Sequence, residues 1–409
     1  MVKDGIVDPT LSLYMLHDPD VLADPHPFYH RLRAAAPVLR DPVLGHWMVT
    51  GYAETMRGLL DQGLSARRIP DLDALPTAYR ATLGPLVDLA AAQMLFNDEP
   101  DHGRIRGVVA RAFTPRRVAQ MRARIAAVVD ELVAPLSDGA EFDIVADLAY
   151  PLPAIVIAEL LGAPVDDRHL FKGWCDDFIK FVATTGLSDA ELTRAAVSAT
   201  AMMDYFRDLV VARRSAPRDD LLSDLVRAQD DGRVASEHEF LANCIILLTA
   251  GHETSTHMLG NALLALFQWP EQRQLFAQEP QRAPAALNEL LRYDGPVQFL
   301  AREARDDVAL GDVTIRRGER VLLMLAAANR DPRTFVDPDT LDLARRGARP
   351  LAFGHGAHIC LGAPLARLEG EIALTTLAHR FPTLTPAMNV FEWQSTVTFR
   401  GLASLPVRV

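Results

Sequence analysis

Cys360 stands in the run Phe353-Gly354-His355-Gly356-Ala357-His358-Ile359-Cys360-Leu361-Gly362. Gly354, Gly356 and Gly362 surround the thiol, and glycines so spaced let a backbone take positive φ and pass close to a flat partner. Downstream, Pro364 suits a first helical turn, and Leu365, Leu368 and Ile372 recur at helical spacing. A thiol just ahead of a helix N-terminus meets aimed N–H groups and positive partial charge, which favour the thiolate. The loop therefore offers a soft anionic ligand. Taken alone, Cys360 could also be a small buried hydrophobe, the expected state of Cys175 and Cys244. His355 and His358 raise zinc as a further option, but no second ligand pair stands at zinc-finger spacing.

A second set with chemical potential is His252-Glu253-Thr254-Ser255, which follows the apolar run Cys244–Gly251. Each polar group left unpaired in such surroundings costs about 2 kcal/mol or more. They are either hydrogen-bonded structural groups or a site that moves protons. Thr254 is expected to bond back to the Ala250 carbonyl, four residues earlier. Glu289 and Arg292, three apart, can pair on one helix face, as a solvated ion pair or as a structural one. His102 and Arg106, four apart, also share a face.

The elements that must position these residues are mainly helical. Ser236 with Glu239 reads as a capping box, and Pro270 stops the pattern after Trp269. A helix of that length spans about 50 Å, against an expected radius of gyration of about 22 Å for a chain this long. It would cross the whole molecule. Short strands are expected at His46–Thr50, Val313–Ile315, Arg320–Met324 and near the C-terminus. With no repeat, linker or low-complexity run, residues 1–409 read as one domain, helical with small sheets at its margin.

Composition narrows the function. The chain has 409 residues, 42 basic and 53 acidic, and a net charge of −11. That balance speaks against nucleic acid, which needs a basic footprint, and against an anionic membrane surface. Three cysteines, with no CxxC or CxxCH, make no disulfide framework and no c-type heme attachment. The start lacks a basic segment followed by an apolar one, and apolar runs such as Ile245–Gly251 fall short of a membrane span, so the expected location is cytoplasmic.

The whole pattern around Cys360, Phe at −7, Gly at −6 and −4, His at −2 and Gly at +2, resembles the heme-binding signature of the cytochrome P450 family, of the soluble bacterial type. Glu289 and Arg292 match the family's E-x-x-R pair, and Asn329-Arg330-Asp331-Pro332 through Arg345 looks like its meander, with Arg345 as third partner. Ala250-Gly251-His252-Glu253-Thr254 resembles its oxygen-activation segment. The likeness runs from Asp24-Pro25-His26-Pro27-Phe28 to Arg400–Val407. It implies the family's triangular, mainly α fold and heme b held by Cys360 as iron ligand. His102, Arg106, Arg302 and His358 are implied as propionate partners. Thr254 and Glu253 are implied as catalytic, the hydroxyl serving dioxygen activation and the carboxylate relaying protons.

The resemblance further implies a monooxygenase that hydroxylates or epoxidises a largely apolar small molecule, as a monomer, in natural-product tailoring. Its two electrons must come from an external ferredoxin or flavodoxin with its reductase, since no GxGxxG fingerprint is present. Seven arginines between Asp101 and Ile125 (104, 106, 111, 116, 117, 122 and 124) offer a docking patch for that acidic donor or a solvated face. For the pocket, the expectations are Leu64–Phe96 as a covering loop, Phe171, Trp174, Phe178 and Phe181 as a roof or as core, and Val297, Phe299 and Leu300 as lining. The competing readings are a peroxide-driven or oxidatively coupling member of the family, or a heme-binding sensor without catalysis.

Overall fold

Ser236 begins the helix that organises the chain. Its hydroxyl accepts the Glu239 N–H at 3.0 Å, and the helix runs over Glu237–Gln268, ending before Pro270 as expected. The return half of the capping box is not made. The Glu239 carboxylate instead accepts the Ala235 N–H at 2.8 Å and a two-point grip from Arg104 at 2.6 and 2.8 Å. A guanidinium fork outcompetes one backbone N–H for the same oxygens. The computed structural model describes residues 8–409 apart from 70, 71, 75, 139, 140, 184–186, 233 and 348.

This central helix is buried over Phe240–Thr249 and again over Ser255–Leu266, but opens between them at Ala250, Gly251, Glu253 and Thr254. A buried helix that is accessible only at its middle faces a cleft there. Around it pack Pro151–Leu161, Asp189–Ser215, Ala283–Asp294 and Ala363–Arg380, the last being the helix that follows Cys360. Ile144–Leu161 is apolar and long enough to cross a membrane, contrary to the reading of the runs, yet 67% of it is buried inside the protein. Its apolar character serves the core.

A five-stranded sheet lies at the edge, in the order Val38–Arg40, Trp47–Val49, Arg320–Leu323, Leu300–Ala304, Leu64–Ser65. The expected strands appear within a residue or two, together with Val313–Ile315 and Pro406–Arg408. Leu300–Ala304 escapes a sequence reading because Leu-Ala-Arg-Glu-Ala is made of helix formers. Pairing with Arg320–Leu323 overrides that preference and sets Arg302 opposite Val321. It thereby fixes one of the candidate site residues.

Candidate active site

The Cys360 loop closes on itself through the Cys360 N–H, which donates to the Phe353 carbonyl at 2.9 Å. Gly354 and Gly356 take φ of 68° and 75°, as the sequence requires. A Cβ on Gly356 would also lie 2.9 Å from the Leu59 carbonyl oxygen, so bare backbone is needed there. Gly362 differs: at φ −79° it is an ordinary N-cap for Ala363–Arg380, with Pro364 in the first turn. The sulfur lies open to the cleft, deep below the outer surface. Burial pushes the Cys360 thiol above its ordinary value, outweighing the lowering by the Gly362 and Ala363 N–H groups, Arg106 and Arg367. The helix N-terminus acts on the sulfur as expected, but desolvation is the larger effect.

Arg292 ties the loop's foundation together. Its fork grips Glu289 at 2.7 and 2.8 Å and donates to the carbonyls of Asn329, Pro338 and Thr340 at 3.0, 2.7 and 3.1 Å. Arg345 adds a bond to Glu289 at 2.9 Å, completing the expected trio. The Asn329 side-chain oxygen then accepts the Leu351 N–H at 2.7 Å, at the root of the cysteine loop.

Between that loop and the open middle of the central helix is a cleft with about 1310 Å³ clear of atoms, part of it open to solvent. Its walls include His102, Arg106, Ala250, Gly251, Thr254, His358 and Cys360. Glu253 and Arg302 are not among the lining residues. Gly251 also accommodates Ile157, whose side chain would stand 3.3 Å from an added Cβ. Thr254 Oγ1 donates to the Ala250 carbonyl at 2.9 Å, the expected back-bond.

The residues fit the heme that the cysteine loop implies. The rings of His102 and His358 lie 3.9 Å apart, and burial, then His102 and Arg302, depress His358 to about 3. Arg106 donates to the Ile359 carbonyl at 2.6 Å. Arg302 is buried and donates only to its neighbour's carbonyl, Ala301, at 2.8 Å. No carboxylate is in ion-pair contact with Arg302 among the described residues. Asp98, which exerts the nearest acidic influence, is already bound by Ser65 Oγ and the Ala66 N–H. A buried guanidinium without an anion is costly, and the two propionates of a bound heme would supply what this cluster lacks. Arg68, not singled out by the sequence, joins it. Burial, followed by Arg302 and Arg320, lowers Arg68 to about 9, and its guanidinium lies 4.5 Å from the Phe96 ring centroid.

Glu369, also on the cleft wall, links the cysteine's helix to the central one. Burial pushes it up to about 8, opposed by a bond from Ser255. A carboxyl raised from 4.5 binds its proton more tightly when folded. Its stabilising contribution is therefore complete below about pH 4.5 and declines as pH rises toward 8. Glu369→Gln should remove that decline: relative to the parent, the variant gains in melting temperature between about pH 5 and about pH 9. Equal slopes in the two proteins would contradict a buried, protonated Glu369.

The remaining expectations divide, and the aromatic stripe takes its core alternative. Phe171 and Phe178 are core, Trp174 and Phe181 pack partly buried against it, and none lines the cleft. Val297 and Leu300 do line it, whereas Phe299 packs in the separate N-terminal cluster. Of Leu64–Phe96, Met94 and Leu95 reach the cleft, while Pro70, Asp71 and Leu75 lie outside the described residues. Four of the seven arginines are paired with acids, while Arg111 and Arg116 are exposed. Arg104 pairs with Glu239, Arg117 with Asp224, Arg122 with Glu371, and Arg124 with Glu159.

The cytochrome P450 family matches residues 87–396. The chain is 37% identical over 393 residues to the biotin biosynthesis cytochrome P450 of Bacillus subtilis strain 168, covering 95% of this chain and 97% of that one. It is 36% identical over 390 residues to the 6-deoxyerythronolide B hydroxylase of Saccharopolyspora erythraea, covering 93% and 95%. The crystal structure of P450BioI in complex with acyl carrier protein carrying hexadec-9Z-enoic acid superposes with a TM-score of 0.90 at 36% identity, covering 96% and 100%. The cysteine loop, its Glu289–Arg292–Arg345 anchor and these likenesses agree: the chain belongs to the cytochrome P450 family, the monooxygenases that bind heme b.

Proposed function

We propose that this chain uses dioxygen and two electrons from an external ferredoxin or flavodoxin, in the cytoplasm, to hydroxylate or epoxidise a largely apolar molecule of the fatty-acyl or polyketide class. The observation that carries the reading is the cleft itself, in which Cys360 and the open turn at Ala250–Thr254 share one space. Much of the remaining wall is apolar, including Met94, Leu95, Ile246, Leu247, Val297 and Leu300. An apolar wall favours an apolar guest through the surface it removes from water. The relatives support the class, one being a 6-deoxyerythronolide B hydroxylase by name and another crystallised with acyl carrier protein carrying hexadec-9Z-enoic acid.

Cys360 would bind the iron, and His102, Arg106, Arg302 and His358 would hold the propionates. Bound there, heme supplies the activation of dioxygen. The chain's own task is to deliver protons one at a time while keeping bulk water out. Thr254 would leave its bond to Ala250 to donate into the cleft, and Glu253, one residue earlier, would resupply it from outside. In the structure the hydroxyl donates to the Ala250 carbonyl, so Thr254 must break that bond before it can donate into the cleft.

Thr254→Ala tests this assignment. With a surrogate ferredoxin and reductase, and whichever fatty acid or macrolide of a panel binds best, product per electron should fall about tenfold or more, less than the ~10²–10⁴ an acid–base group contributes because water replaces part of it. Peroxide should rise to match, with compound binding retained. Undiminished coupling would contradict the role of Thr254.

A further inference from the structure

Tyr29 sits in the helix His26–Ala35, far along the chain from the residues assigned above, and is 1% exposed. Its hydroxyl donates to the Gln298 side-chain oxygen at 3.0 Å. Burial pushes the phenol above its ordinary value, so it stays a donor. Gln298 is itself 3% exposed and stands between the cleft-lining residues Val297 and Leu300. The wall segment 296–300 therefore has two sides. Pro296, Val297 and Leu300 meet the cleft, whereas Gln298 and Phe299 turn to the N-terminal helix. Phe299 packs in the cluster that holds Phe28, Tyr29 and Leu32.

Each polar group of Gln298 has a partner. Its side-chain nitrogen donates to the Gly295 carbonyl at 2.9 Å and its backbone N–H to the Thr398 carbonyl at 2.9 Å. Its own carbonyl accepts the Ala326 N–H at 3.1 Å. Thr398 Oγ1 then donates to the Ala183 carbonyl at 2.8 Å, at the end of the helix Arg168–Ala183. Arg400, 6% exposed, makes a second tie. Its N–H donates to the Pro296 carbonyl at 2.7 Å, and its guanidinium to Asp294 at 2.8 Å and to the carbonyls of Leu22 and Ala23 at 2.6 and 2.9 Å. The N-terminal segment thus holds the wall from behind at both Pro296 and Gln298, yet Tyr29, Gln298 and Arg400 are not among the lining residues. A buried network with every member satisfied favours one arrangement of its parts.

We propose that Tyr29 sets the specificity of the cleft from behind its wall: through Gln298 it fixes Val297 and Leu300, and so limits which apolar guests fit. Tyr29 is a positioning residue and touches no guest itself. This rests on the reading of the cleft as the site of an apolar substrate. Tyr29→Phe removes one oxygen from a packed site and leaves Gln298 Oε1 buried without its donor, which drives the amide toward a new position. A wall released in this way yields to guests of different width, and discriminates less between them.

The test uses holoenzyme and reads dissociation constants for a panel of free fatty acids and macrolactones from the change in heme absorption. In Tyr29→Phe the ratio between the weakest and the tightest binder should shrink about threefold or more, as the loss of one buried hydrogen bond allows. The spectrum of the reduced carbon monoxide adduct should match the parent's. Gln298→Met, which replaces the amide by an apolar chain of like length, should shrink the ratio too. In that background Tyr29→Phe should add little, because the pair is already broken. A ratio unchanged in Tyr29→Phe overturns the proposal, even where the melting temperature falls, since that is a merely structural role. Equal shrinkage by Tyr29→Phe in both backgrounds also overturns it, because Tyr29 then does not act through Gln298. Tyr29→Phe decides the matter alone should Gln298→Met not fold. If the parent binds the panel and only the ratio stays put, the apolar-substrate reading stands and this proposal falls. If the parent binds no member of the panel, both fall.

Discussion

Cys360→Ala abolishes monooxygenase turnover while the polypeptide stays folded. The sulfur faces the cleft rather than the core, so its removal opens no cavity in the packed interior. What is lost locally is the weak attraction of the Gly362 and Ala363 N–H groups, worth about 1 kcal/mol or less. The fold should therefore register the change little in a denaturation curve. Cys360 would hold the heme iron through its thiolate, and that ligand would supply the electron density on which dioxygen activation depends. Among the described residues no three His, Cys, Asp or Glu converge as a metal site, so no ready substitute set stands behind Cys360. Turnover of any bound compound should fall to background. Product formation near the parent rate would mean that the sulfur is not the working ligand.

Arg292→Ala should be worse for the fold than Cys360→Ala is. The side chain is 1% exposed and makes five hydrogen bonds, two to Glu289 and three to backbone carbonyls of the meander. Truncation leaves the Glu289 carboxylate, itself 5% exposed, with only Arg345 and the Asp342 N–H. Breaking a buried pair by removing one partner costs about 3–5 kcal/mol, a large share of the ~5–15 kcal/mol that holds a domain together. Chemical denaturation should show that loss, and heme content on purification should drop with it because Asn329 no longer steadies Leu351. Arg345→Ala should cost less, since Arg345 is partly solvated and Arg292 still grips Glu289. Equal, small effects for both would contradict the anchoring role.

What the sequence made legible follows from what is local. The central helix could be bounded to a residue or so because Ser236 and Pro270 act within one turn of its ends. The cysteine loop could be read because its glycines carry their own conformational demand. Groups whose partners come from far along the chain could not be read. Arg117, Arg122 and Arg124 form a basic run in sequence but meet Asp224, Glu371 and Glu159 in space. Arg302 is marked by the family resemblance and Arg68 is not, and only strand pairing between Leu64–Ser65 and Leu300–Ala304 brings their segments together. The aromatic spacing of Phe171, Trp174, Phe178 and Phe181 marks a buried helix face, and spacing alone does not say whether that face meets core or cavity.

The most direct measurement is the absorption spectrum of the purified chain, reduced and exposed to carbon monoxide. An iron atom bound to the Cys360 sulfur predicts a Soret band at the long wavelength that thiolate ligation produces, lost in Cys360→Ala. A chain that takes up no heme, or one whose band sits where nitrogen-ligated hemes absorb, would contradict the site described for it.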